Sequence, residues 1–440
     1  PPRGGGGGGG GAEAPAVQDS FRAAVERAKK RDLAAAEVYW GRHEASPPGG
    51  RVHVAQWFEF AMAHYNAHSY QRAAELLVKV VELEPADPRG YNNLAMSLEA
   101  AGAMREAKLV LQQGLSASPD HHGLNYNYAK LLLDDESWQE AVERLVVAVQ
   151  SDPQNADIHF YLGAAMRQAG NGEVAKQAFD NVLKIDPRYA FKYINTETNH
   201  DYEHFVDDER GLLDTLSGGE GACRGNASHA CALRDIVLDL RGLEQTLGFV
   251  ADRQIDGRKV QLATGYMKHS FAYGSTFYQS WRTVFNNTVL MDAVQHAKAN
   301  GLRYGVLGSS IGWHVFYGAL TWDLPSKGWE ILCSQVDISR KLADRHSLRA
   351  NDFISFECAD ALAADLGGVH IVVLAFSRDV NLGKVLNEKL ARELRPGALV
   401  LSWSRILDAQ PEFKRAAVYK VAVSWSENWG LYVYQRKEDE

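Results

Sequence analysis

The residues of this chain that could do chemistry surround a glycine turn in its second half. The stretch "YGVLGSSIGWHVFYGAL", residues 304–320, is apolar, then small, then apolar again with helical spacing, and its turn carries Gly308, Ser309 and Gly312. A strand, a glycine turn and a helix in this order bring backbone N–H groups and the positive end of the helix dipole close to a ligand. The stretch predicts either a nucleotide-binding corner or an ordinary buried corner between a strand and a helix.

Two acidic residues follow this turn at positions that suit a nucleoside. Glu330 lies 22 residues beyond Gly308, near the end of the next predicted strand, where a carboxylate accepts hydrogen bonds from ribose hydroxyls. Asp360 follows the third predicted strand, where a carboxylate can accept a hydrogen bond from the amine of adenine. The alternatives are that Glu330 is a surface charge and that Asp360 is the N-cap of "ALAADL". Asp337 is a rival for the ribose, although its position favours an N-cap for "ISRKLA".

Alternating strands and helices predict the scaffold that would position these residues. From residue 280 onward, the strand-like segments are "YGVLG", "GWEILC", "FISFECAD", "HIVVLAF" and "ALVLSWSR". Helical segments separate them, and "WRTVFNNTVLMDAVQHAKANG" reads as one helix that Gly301 closes. The stretch "YKVAVSWSENWGLYVYQRK" predicts a hairpin with its turn at residues 426–428. The alternation indicates a mainly parallel sheet with ligands at the carboxyl ends of its strands.

A 34-residue period organises the first half of the chain. A proline recurs at this interval, and an alanine lies 12 residues before each proline. The prolines are Pro85, Pro119, Pro153 and Pro187, and the alanines are Ala73, Ala107, Ala141 and Ala175. Small residues let two helices approach closely, and proline ends the second helix. The pattern resembles the tetratricopeptide repeat, with residues 15–50 as a degenerate fifth unit.

Repeats of this kind stack into a superhelix whose concave groove often binds an extended peptide or a helix. The amides of Asn92, Asn93, Asn125 and Asn127, together with Lys130, are candidates to bind a partner's backbone there. The first interpretation therefore predicts a protein or peptide ligand in the repeat groove. The alternative is that the asparagines satisfy local turns and that the repeats are structural or dimerising.

Composition narrows the classes of partner. At 440 residues, the chain is long enough for two or three domains. No apolar run could span a bilayer, and a net charge of −8 argues against a dominant nucleic-acid surface. The four cysteines lack metal-ligand spacing, so no metal site is predicted. So few cysteines in a long chain predict reduced thiols and an intracellular protein, either nuclear or cytoplasmic.

Changes in composition predict four segments. Residues 1–14 are a disordered Pro/Gly-rich lead, and residues 15–215 are the repeat solenoid with an acidic helical cap, "NTETNHDYEHFVDDERGLLDTL". Residues 216–233 include the Gly-rich "SGGEGACRGNASHACA" and are expected to be a linker. The α/β domain then occupies residues 234–440.

The order of elements in the second half resembles that of the class I S-adenosylmethionine-dependent methyltransferases. Within that class, it is similar to the disruptor-of-telomeric-silencing family, the histone lysine methyltransferases that lack a SET domain. The similar stretches are "AYGST" (covering loop), "VLGSSIG" (glycine turn), "GWE" (strand two), "CADAL" (adenine motif), "VLNEKLARELRPGALVLSWSRI" (fifth helix and strand) and "AVSWSENWGLYVYQRK" (closing hairpin). The resemblance implies a Rossmann-like α/β domain with a C-terminal antiparallel hairpin, placed after an all-α tetratricopeptide-repeat solenoid.

The resemblance also implies S-adenosylmethionine as the cofactor. The residues that it assigns to the cofactor are Gly274, Thr276, Gly308, Ser309, Gly312, Glu330, Asp360 and Ala361. It assigns Tyr273, Trp425 and Tyr432 to the channel through which a lysine amine reaches the methyl group. Aromatic walls favour the uncharged amine by desolvation and attract the transferring methyl by cation–π interaction. Methyl transfer depends on alignment, so no acid–base dyad is expected.

The sequence departs from the family pattern within these motifs. Val306 replaces the acidic residue of the glycine turn, Ser310 replaces its middle glycine, and Ser275 replaces the acidic residue of the covering loop. Ala375 and Phe376 replace paired asparagines after strand four. Three functions stay open: methylation of a protein recruited by the repeats, with a histone or nucleosome as one candidate; methylation of RNA or a small molecule; and a catalytically silent scaffold.

Overall fold

Two compact units make up the chain, Pro1–Asn181 and Val182–Glu440. The structure is a computed structural model. It describes residues 13–45, 52–187, 189, 199–218, 223, 228–244, 246–264, 276–285, 287–375, 380–423 and 426–438. Among the helices of these ranges, none is both long enough and apolar enough to cross a membrane.

Helical hairpins build the first unit. The helices are α1 Glu13–Lys29, α2 Leu33–Ala45, α3 Val54–Asn66, α4 Tyr70–Leu83, α5 Pro88–Ala100, α6 Met104–Ala117, α7 His122–Asp134, α8 Trp138–Ser151, α9 Ala156–Gln168 and α10 Gly172–Ile185. The hairpin α1–α2 corresponds to the degenerate fifth unit, and the next four hairpins are the units that the 34-residue period predicts.

The period is visible in the backbone of these hairpins. The second helix of each unit ends two residues before the recurring proline, as α4 ends at Leu83 before Pro85. The turn between the two helices holds a left-handed residue at the same place in each unit. These residues are His68 (φ 66°), Gly102 (φ 84°), Glu136 (φ 59°) and Gly170 (φ 84°). The left-handed backbone conformation is therefore common to all four turns, although only two of them have glycine, the residue that adopts it most easily.

Small residues lie where the helices cross. Ala73, Ala107 and Ala141 are fully buried. At Gly163, which takes the small position of the fourth unit, an added Cβ would lie 2.5 Å from the ring of Phe179. The helices approach so closely there that no side chain fits, which is the packing that the sequence pattern predicts.

The second unit combines eight helices with seven strands among the described residues. The helices are α11 Asn199–Ser217, α12 His229–Glu244, α13 Leu247–Thr264, α14 Tyr278–Phe285, α15 Thr288–Ala299, α16 Trp313–Trp322, α17 Cys333–Arg345 and α18 Val380–Glu393. The strands are β1 Arg303–Leu307, β2 Ser326–Glu330, β3 Ile354–Cys358, β4 Val369–Leu374, β5 Leu399–Ser402, β6 Phe413–Val423 and β7 Ser426–Arg436.

The strands form one mixed sheet in the order β3-β2-β1-β4-β5-β7-β6. Strands β1 to β5 pair in parallel, and β7 is antiparallel to both β5 and β6. The strand order reverses between β1 and β4, which is the place where open sheets of this type bind ligands. We call the side at which β1–β5 end the carboxyl edge. Because β6 runs in the same direction as β5, its last residue, Val423, lies at that edge too.

Apolar cores cover both faces of the sheet, as expected for parallel strands. One core contains Val306 of β1 and Phe316 of α16. The other contains Leu307 of β1 and Leu386 of α18. Successive residues of a strand point to opposite faces, so the two faces can be assigned along every strand.

Several sequence predictions need correction. The segment predicted as one helix forms α14 and α15, because Asn287 between them caps α15 by accepting a hydrogen bond from the backbone N–H of Val289 at 3.0 Å. The predicted hairpin turn at residues 426–428 is wrong, since Ser426 already pairs with Val423 inside the ladder. The prediction of Asp337 as an N-cap is also wrong, because α17 begins earlier and places Asp337 inside the helix, exposed and 3.6 Å from Arg340.

The cysteines differ from the prediction as well. They were expected to be reduced, but the structure pairs Cys223 with Cys231 and Cys333 with Cys358, at Cα–Cα distances of 5.4 and 5.1 Å. Sequence spacing does not reveal such pairs, because 25 residues separate Cys333 from Cys358 along the chain. Pairing of β2 with β3 brings the segments of these two residues together.

The acidic segment predicted to cap the solenoid forms α11. Its Leu213 belongs to the same core as Ile236 of α12 and Phe316 of α16. The two compact units divide at residues 181 and 182, and the end of the repeat solenoid at residue 215 stays a prediction. The limits of the lead, the linker and the α/β domain stay predictions.

Candidate functional site

The glycine turn joins β1 to α16 at the carboxyl edge. Gly308 has a φ of 73°, Ser310 of 50° and Gly312 of 96°, so three of five residues are left-handed. A Cβ on Gly312 would lie 2.7 Å from the ring of Phe316. Both Gly308 and Ser309 donate their backbone N–H groups to the carbonyl of Trp329, at 2.8 and 3.0 Å. The tight turn therefore needs glycine at its ends and is held against β2.

Glu330, the last residue of β2, points at this turn. Its Oε2 accepts the backbone N–H of Ser310 at 2.8 Å, and its Oε1 accepts the N–H of Leu332 at 3.0 Å. The residue is only 8% exposed, so the surface-charge alternative is wrong. Burial raises the pKa of the Glu330 carboxyl, and the backbone hydrogen bonds oppose that rise. An ionised carboxylate has about four acceptor positions, so acceptor capacity for ribose hydroxyls is left.

Asp360 and Ala361 follow β3, next to Glu330 on the same edge. Glu330 is opposite Cys358 in the parallel register, and the N–H of Ala359 donates to the Glu330 carbonyl at 3.0 Å. Asp360 accepts the N–H of Leu362 at 2.8 Å and caps a short 3₁₀ turn, Ala361–Ala363. The capping role that was the alternative is thus present. It uses one carboxylate oxygen, and the role of Asp360 and Ala361 toward adenine stays a prediction.

Thr276 lies at the carboxyl edge and is 2% exposed. Its backbone forms a bridge with Val423 of β6, and its carbonyl accepts the hydroxyl of Tyr317 at 3.0 Å. The remaining residues assigned to the covering loop, Tyr273 and Gly274, lie outside the described residues. The structure therefore fixes one end of the predicted loop, and the cofactor-binding role of Thr276 stays a prediction.

A buried ion network lies beneath Thr276. Arg241 of α12 donates to Glu209 of α11, at 2.6 Å from Nε, and to Glu244, at 2.9 Å. Glu209 also accepts the backbone N–H of Tyr278, and the Arg241 guanidinium lies 4.2 Å from the ring centre of Trp313. All three charged groups are at most 3% exposed. The network links α11, α12, α14 and α16 around the end of the covering loop.

Tyr432 of β7 is opposite Ser402, the last residue of β5. The hydroxyl of Tyr432 accepts the Nε–H of Arg405 at 3.2 Å, and the guanidinium lies 5.5 Å from the ring centre. A cation thus already lies against the ring that was predicted to face a lysine amine. Trp425 lies outside the described residues, so the predicted aromatic channel stays a prediction.

The sequence analysis missed two residues of this edge. His314 occupies the second position of α16 and is 7% exposed. Its ring centre lies 6.2 Å from that of Trp403, which directly follows β5. Burial lowers the pKa of His314 to about 4, so the imidazole is uncharged at neutral pH. An ionisable residue in the otherwise apolar stretch "GWHVFYGAL" was the signal that could have found it.

A second candidate surface lies in the repeats, on the first helices of neighbouring units. Lys130 of α7 is 3.7 Å from Glu99 of α5, and Tyr126 of α7 packs edge-on to Tyr161 of α9 with ring centres 5.5 Å apart. These side chains are only partly buried. We call them, with Met96, the first-helix surface.

The asparagines predicted for the groove are engaged internally. Asn125 is fully buried and donates to the carbonyl of Pro119 at 2.7 Å. Asn127 donates to the side chain of Asn92 at 2.9 Å, and Asn93 donates to the carbonyl of Arg89 at 2.8 Å. The alternative, that these amides satisfy local structure, is what the structure shows.

Comparisons with known proteins bear on the repeats most directly. The tetratricopeptide repeat family matches residues 132–191, and the prediction of such repeats is confirmed. Protein NPGR1 of Arabidopsis thaliana is 26% identical over 132 residues, which are 30% of this chain and 19% of that protein. The chain therefore spans less than two thirds of that relative.

Solved structures are similar to parts of the chain. A crystal structure of MamA protein covers 40% of this chain and 94% of its own, at 15% identity and a TM-score of 0.34. YrrB, described as a TPR protein with an unusual peptide-binding site, covers 41% of this chain and 94% of its own, at 14% identity and a TM-score of 0.33. An RNA methyltransferase from Salinibacter ruber, in complex with S-adenosyl-L-homocysteine, covers 34% of this chain and 92% of its own, at 20% identity and a TM-score of 0.26.

Proposed function

We propose that the second unit is an S-adenosylmethionine-dependent methyltransferase domain that acts on a protein recruited by the repeats. The observation that carries the proposal is the pair of hydrogen bonds that the Glu330 carboxylate accepts from the backbone N–H groups of Ser310 in the glycine turn and of Leu332. This contact places an acceptor at the end of β2 directly against the start of α16. The antiparallel pairing of β6 with β7 supports the proposal, because the resemblance implies a C-terminal antiparallel hairpin.

The residues at the carboxyl edge fit an adenosyl group. Glu330 keeps acceptor positions for two ribose hydroxyls, and Asp360 places a carboxylate at the end of β3, where the resemblance assigns it to the adenine amine. Gly312 starts α16 without a side-chain cap, so the first N–H groups of the helix face the turn. Glycine at this position also lets a ligand come close to the backbone.

The chemistry of the proposal requires little acid–base catalysis. S-adenosylmethionine, when bound, supplies a methyl group on a sulfonium that a nucleophile can attack. The protein has to hold the acceptor in line, remove its water and keep it uncharged. Trp403, which directly follows β5 and is only partly buried, offers an apolar surface for that purpose. The resemblance further implies a lysine of a histone as the acceptor.

Recruitment by the repeats is supported by the first-helix surface. It combines half-buried aromatic rings, Tyr126 and Tyr161, with the charges of Lys130 and Glu99. Such a mixture suits a peptide that carries both apolar and polar side chains.

Calorimetric titration of the full chain with S-adenosylhomocysteine tests the cofactor assignment. Glu330→Ala should weaken binding by roughly 1–3 kcal/mol, because it strands ligand hydroxyls without acceptors. The control is Glu357→Ala, which removes a carboxylate from the neighbouring strand β3 that only pairs with Lys327 at 2.7 Å. Equal affinities of the two variants would contradict the role of Glu330. Thermal unfolding of both variants checks that the turn has not collapsed.

Methyl transfer tests the acceptor and the recruitment. Radiolabelled S-adenosylmethionine is offered with nucleosomes, free histones, total cell protein or total RNA. Lys130→Glu should raise KM for a protein acceptor and leave kcat unchanged, because it alters docking and not chemistry. The matched control is Lys79→Glu on the second helix α4, where Lys79 is exposed and pairs with Glu82. If the label were found in RNA alone, the methyl acceptor would be a nucleic acid and the proposal of a protein acceptor would be wrong.

A silent repeat-containing scaffold is the second candidate function. The observation that favours it is that both oxygens of Glu330 already accept backbone hydrogen bonds, so the corner is satisfied without a ligand. The same titration separates the two candidates. If S-adenosylhomocysteine gave neither binding heat nor a thermal shift with the wild-type chain, the scaffold function would be supported and the methyltransferase function rejected.

A further inference from the structure

The first turn of α16 places the imidazole of His314 at the carboxyl edge. His314 follows Gly312 by two positions, is 7% exposed, and its Nε2 atom has no partner among the described residues. Two aromatic rings flank it, Tyr317 with a centre distance of 6.1 Å and Trp403 with 6.2 Å. The contacts with the two rings explain why His314 is buried. They do not explain why a nitrogen atom without a hydrogen-bond partner is buried there.

A polar atom in this state costs the fold free energy. It has lost its hydrogen bond with water and has gained none from the protein. Burial lowers the pKa of His314 to about 4, so the ring stays uncharged and gains no ion pair either. Phenylalanine would keep the contacts with Tyr317 and Trp403 without that cost. A ligand that bonds to Nε2 would explain why a polar ring is present.

The position of His314 in the sheet indicates which ligand this is. Glu330 and Asp360 follow β2 and β3, on one side of the point where the strand order reverses. Trp403 follows β5, on the other side of that point. His314 contacts Trp403 and therefore faces the β5 side of the glycine turn. A cofactor held by the two acids leaves this side to the second reactant.

We propose that His314 binds the methyl-accepting group of the substrate, through a hydrogen bond that an uncharged N–H or O–H group donates to Nε2. The inference rests on the proposed methyltransferase function and goes beyond it by naming a residue and the state of the acceptor. Donation of the hydrogen to Nε2 orients the acceptor and leaves its lone pair to bond to the methyl carbon. The C–S bond of the sulfonium breaks as this bond forms, and the proton left on the methylated atom is released to water with the product. The aromatic walls disfavour a charged ammonium, so the acceptor enters or becomes uncharged there.

The matched control is a second buried histidine at the opposite edge. His370 is 5% exposed, lies near the start of β4, and has its ring centre 4.5 Å from that of His296. Burial lowers its pKa to about 4 as well. His314→Phe and His370→Phe therefore remove the same chemical group from equally buried places, one at the carboxyl edge and one away from it.

Three measurements on the full chain test the proposal. Calorimetry with S-adenosylhomocysteine should give the same affinity for wild type and both variants. The rate of methyl transfer to free histones and total cell protein should fall about 100-fold in His314→Phe, the scale of a misaligned acceptor. The rate should stay within about twofold of wild type in His370→Phe, since its site is remote. The apparent melting temperature of His314→Phe should equal or exceed that of wild type.

A spectroscopic measurement gives a readout without turnover. In the chain labelled with ¹⁵N at histidine and saturated with S-adenosylhomocysteine, N-methylacetamide serves as an uncharged N–H probe. The Nε2 resonance of His314, assigned by its absence in His314→Gln, should shift upfield with this probe and not with n-butylammonium.

The outcomes separate this proposal from the proposed function. If the wild type binds no S-adenosylhomocysteine, both are overturned. If it binds but His314→Phe transfers methyl at the wild-type rate, or the Nε2 resonance does not move, only the role of His314 is overturned. Loss of S-adenosylhomocysteine affinity in His314→Phe would assign the residue to the cofactor and likewise reject an acceptor role. Partial activity in His314→Gln, whose side chain can still accept a hydrogen bond, would support the proposal.

Discussion

The two halves of the molecule bury different kinds of groups. Among the described residues of the first unit, the polar side chains that are buried are uncharged residues and histidines. Its ion pair between Arg72 and Glu37 is about one-third exposed. In the second unit, Glu209, Arg241, Glu244 and Glu330 are all buried. Buried charges are expensive unless they are paired. Arg241 pairs with Glu209 and Glu244 beneath Thr276, and Glu330 accepts backbone N–H groups at the glycine turn, so these buried charges are compensated where they lie.

The largest effect is expected when the buried network loses its cation. Arg241→Met should destabilise the second unit by about 3–5 kcal/mol, because Glu209 and Glu244 stay buried without a counter-charge. Arg72→Met, the control in the first unit, should cost less than about 1 kcal/mol, as partly exposed pairs do. Hydrogen exchange during denaturant titration, followed in peptides of each unit, measures both losses. If the two variants lost the same free energy of unfolding, the difference between buried charges in the second unit and partly exposed ion pairs in the first would have no energetic consequence.

Reduction of the disulfides should act on one half only. The four cysteines all lie between residues 223 and 358. Dithiothreitol should therefore destabilise the second unit by roughly 2–4 kcal/mol and leave the repeats unchanged, because each disulfide restricts the unfolded chain. The double variant Cys333→Ser/Cys358→Ser should lose the part of this response that its bridge contributes. Alkylation of all four cysteines in the untreated native protein would show that the pairs are absent.

A pair of glycine substitutions tests the packing of the repeats. Gly163→Ala should destabilise the first unit by about 1–3 kcal/mol, because its Cβ would lie 2.5 Å from Phe179. Gly41→Ala in α2, with no atom within 4 Å of the added Cβ, should stabilise it by up to about 1 kcal/mol through helix propensity. Denaturant melts of the full chain give both values. If both substitutions stabilised the first unit, helix propensity rather than close packing would govern the effect of alanine at position 163, where the helices cross.

The smallest effect concerns pH and Glu330. Because its pKa is raised, the carboxyl becomes protonated, and loses acceptor capacity, at a pH above about 4.3, the ordinary value for glutamic acid. Affinity for S-adenosylhomocysteine should thus fall by at most about tenfold per pH unit as the pH drops through that raised pKa. Titrations of Glu330→Gln should show a flatter profile. Parallel profiles of variant and wild type would assign the pH dependence to another group.

Most of the repeat half could be predicted from the sequence, since each unit depends on contacts within 34 residues. The positions of the prolines, the crossing alanines and the helix ends all agree with the structure. The roles of Asn125 and Asn127 could not be predicted. Whether an amide faces a ligand or its own turn depends on rotamers and on neighbours in the next unit, such as Asn92.

In the sheet half, the sequence indicated the strands β1 to β5 and the acid at the end of β2. It did not reveal the ion network, because Glu209 and Arg241 are 32 residues apart and lie on helices with no periodic relation. It also merged α14 with α15, since both have helical patterns and only the cap at Asn287 separates them. Side chains brought together from distant segments leave no local pattern.

The sequence alone determined the repeat period, the alternation of strands and helices and the residue types at the glycine turn, because these depend on neighbours along the chain. The tertiary structure decided that Glu330 bonds to the turn, that Asp360 caps a 3₁₀ turn, and that His314 meets Trp403 beyond β5. These contacts depend on strand order and on the rotamers allowed by close packing, and neither is encoded in any single stretch of residues.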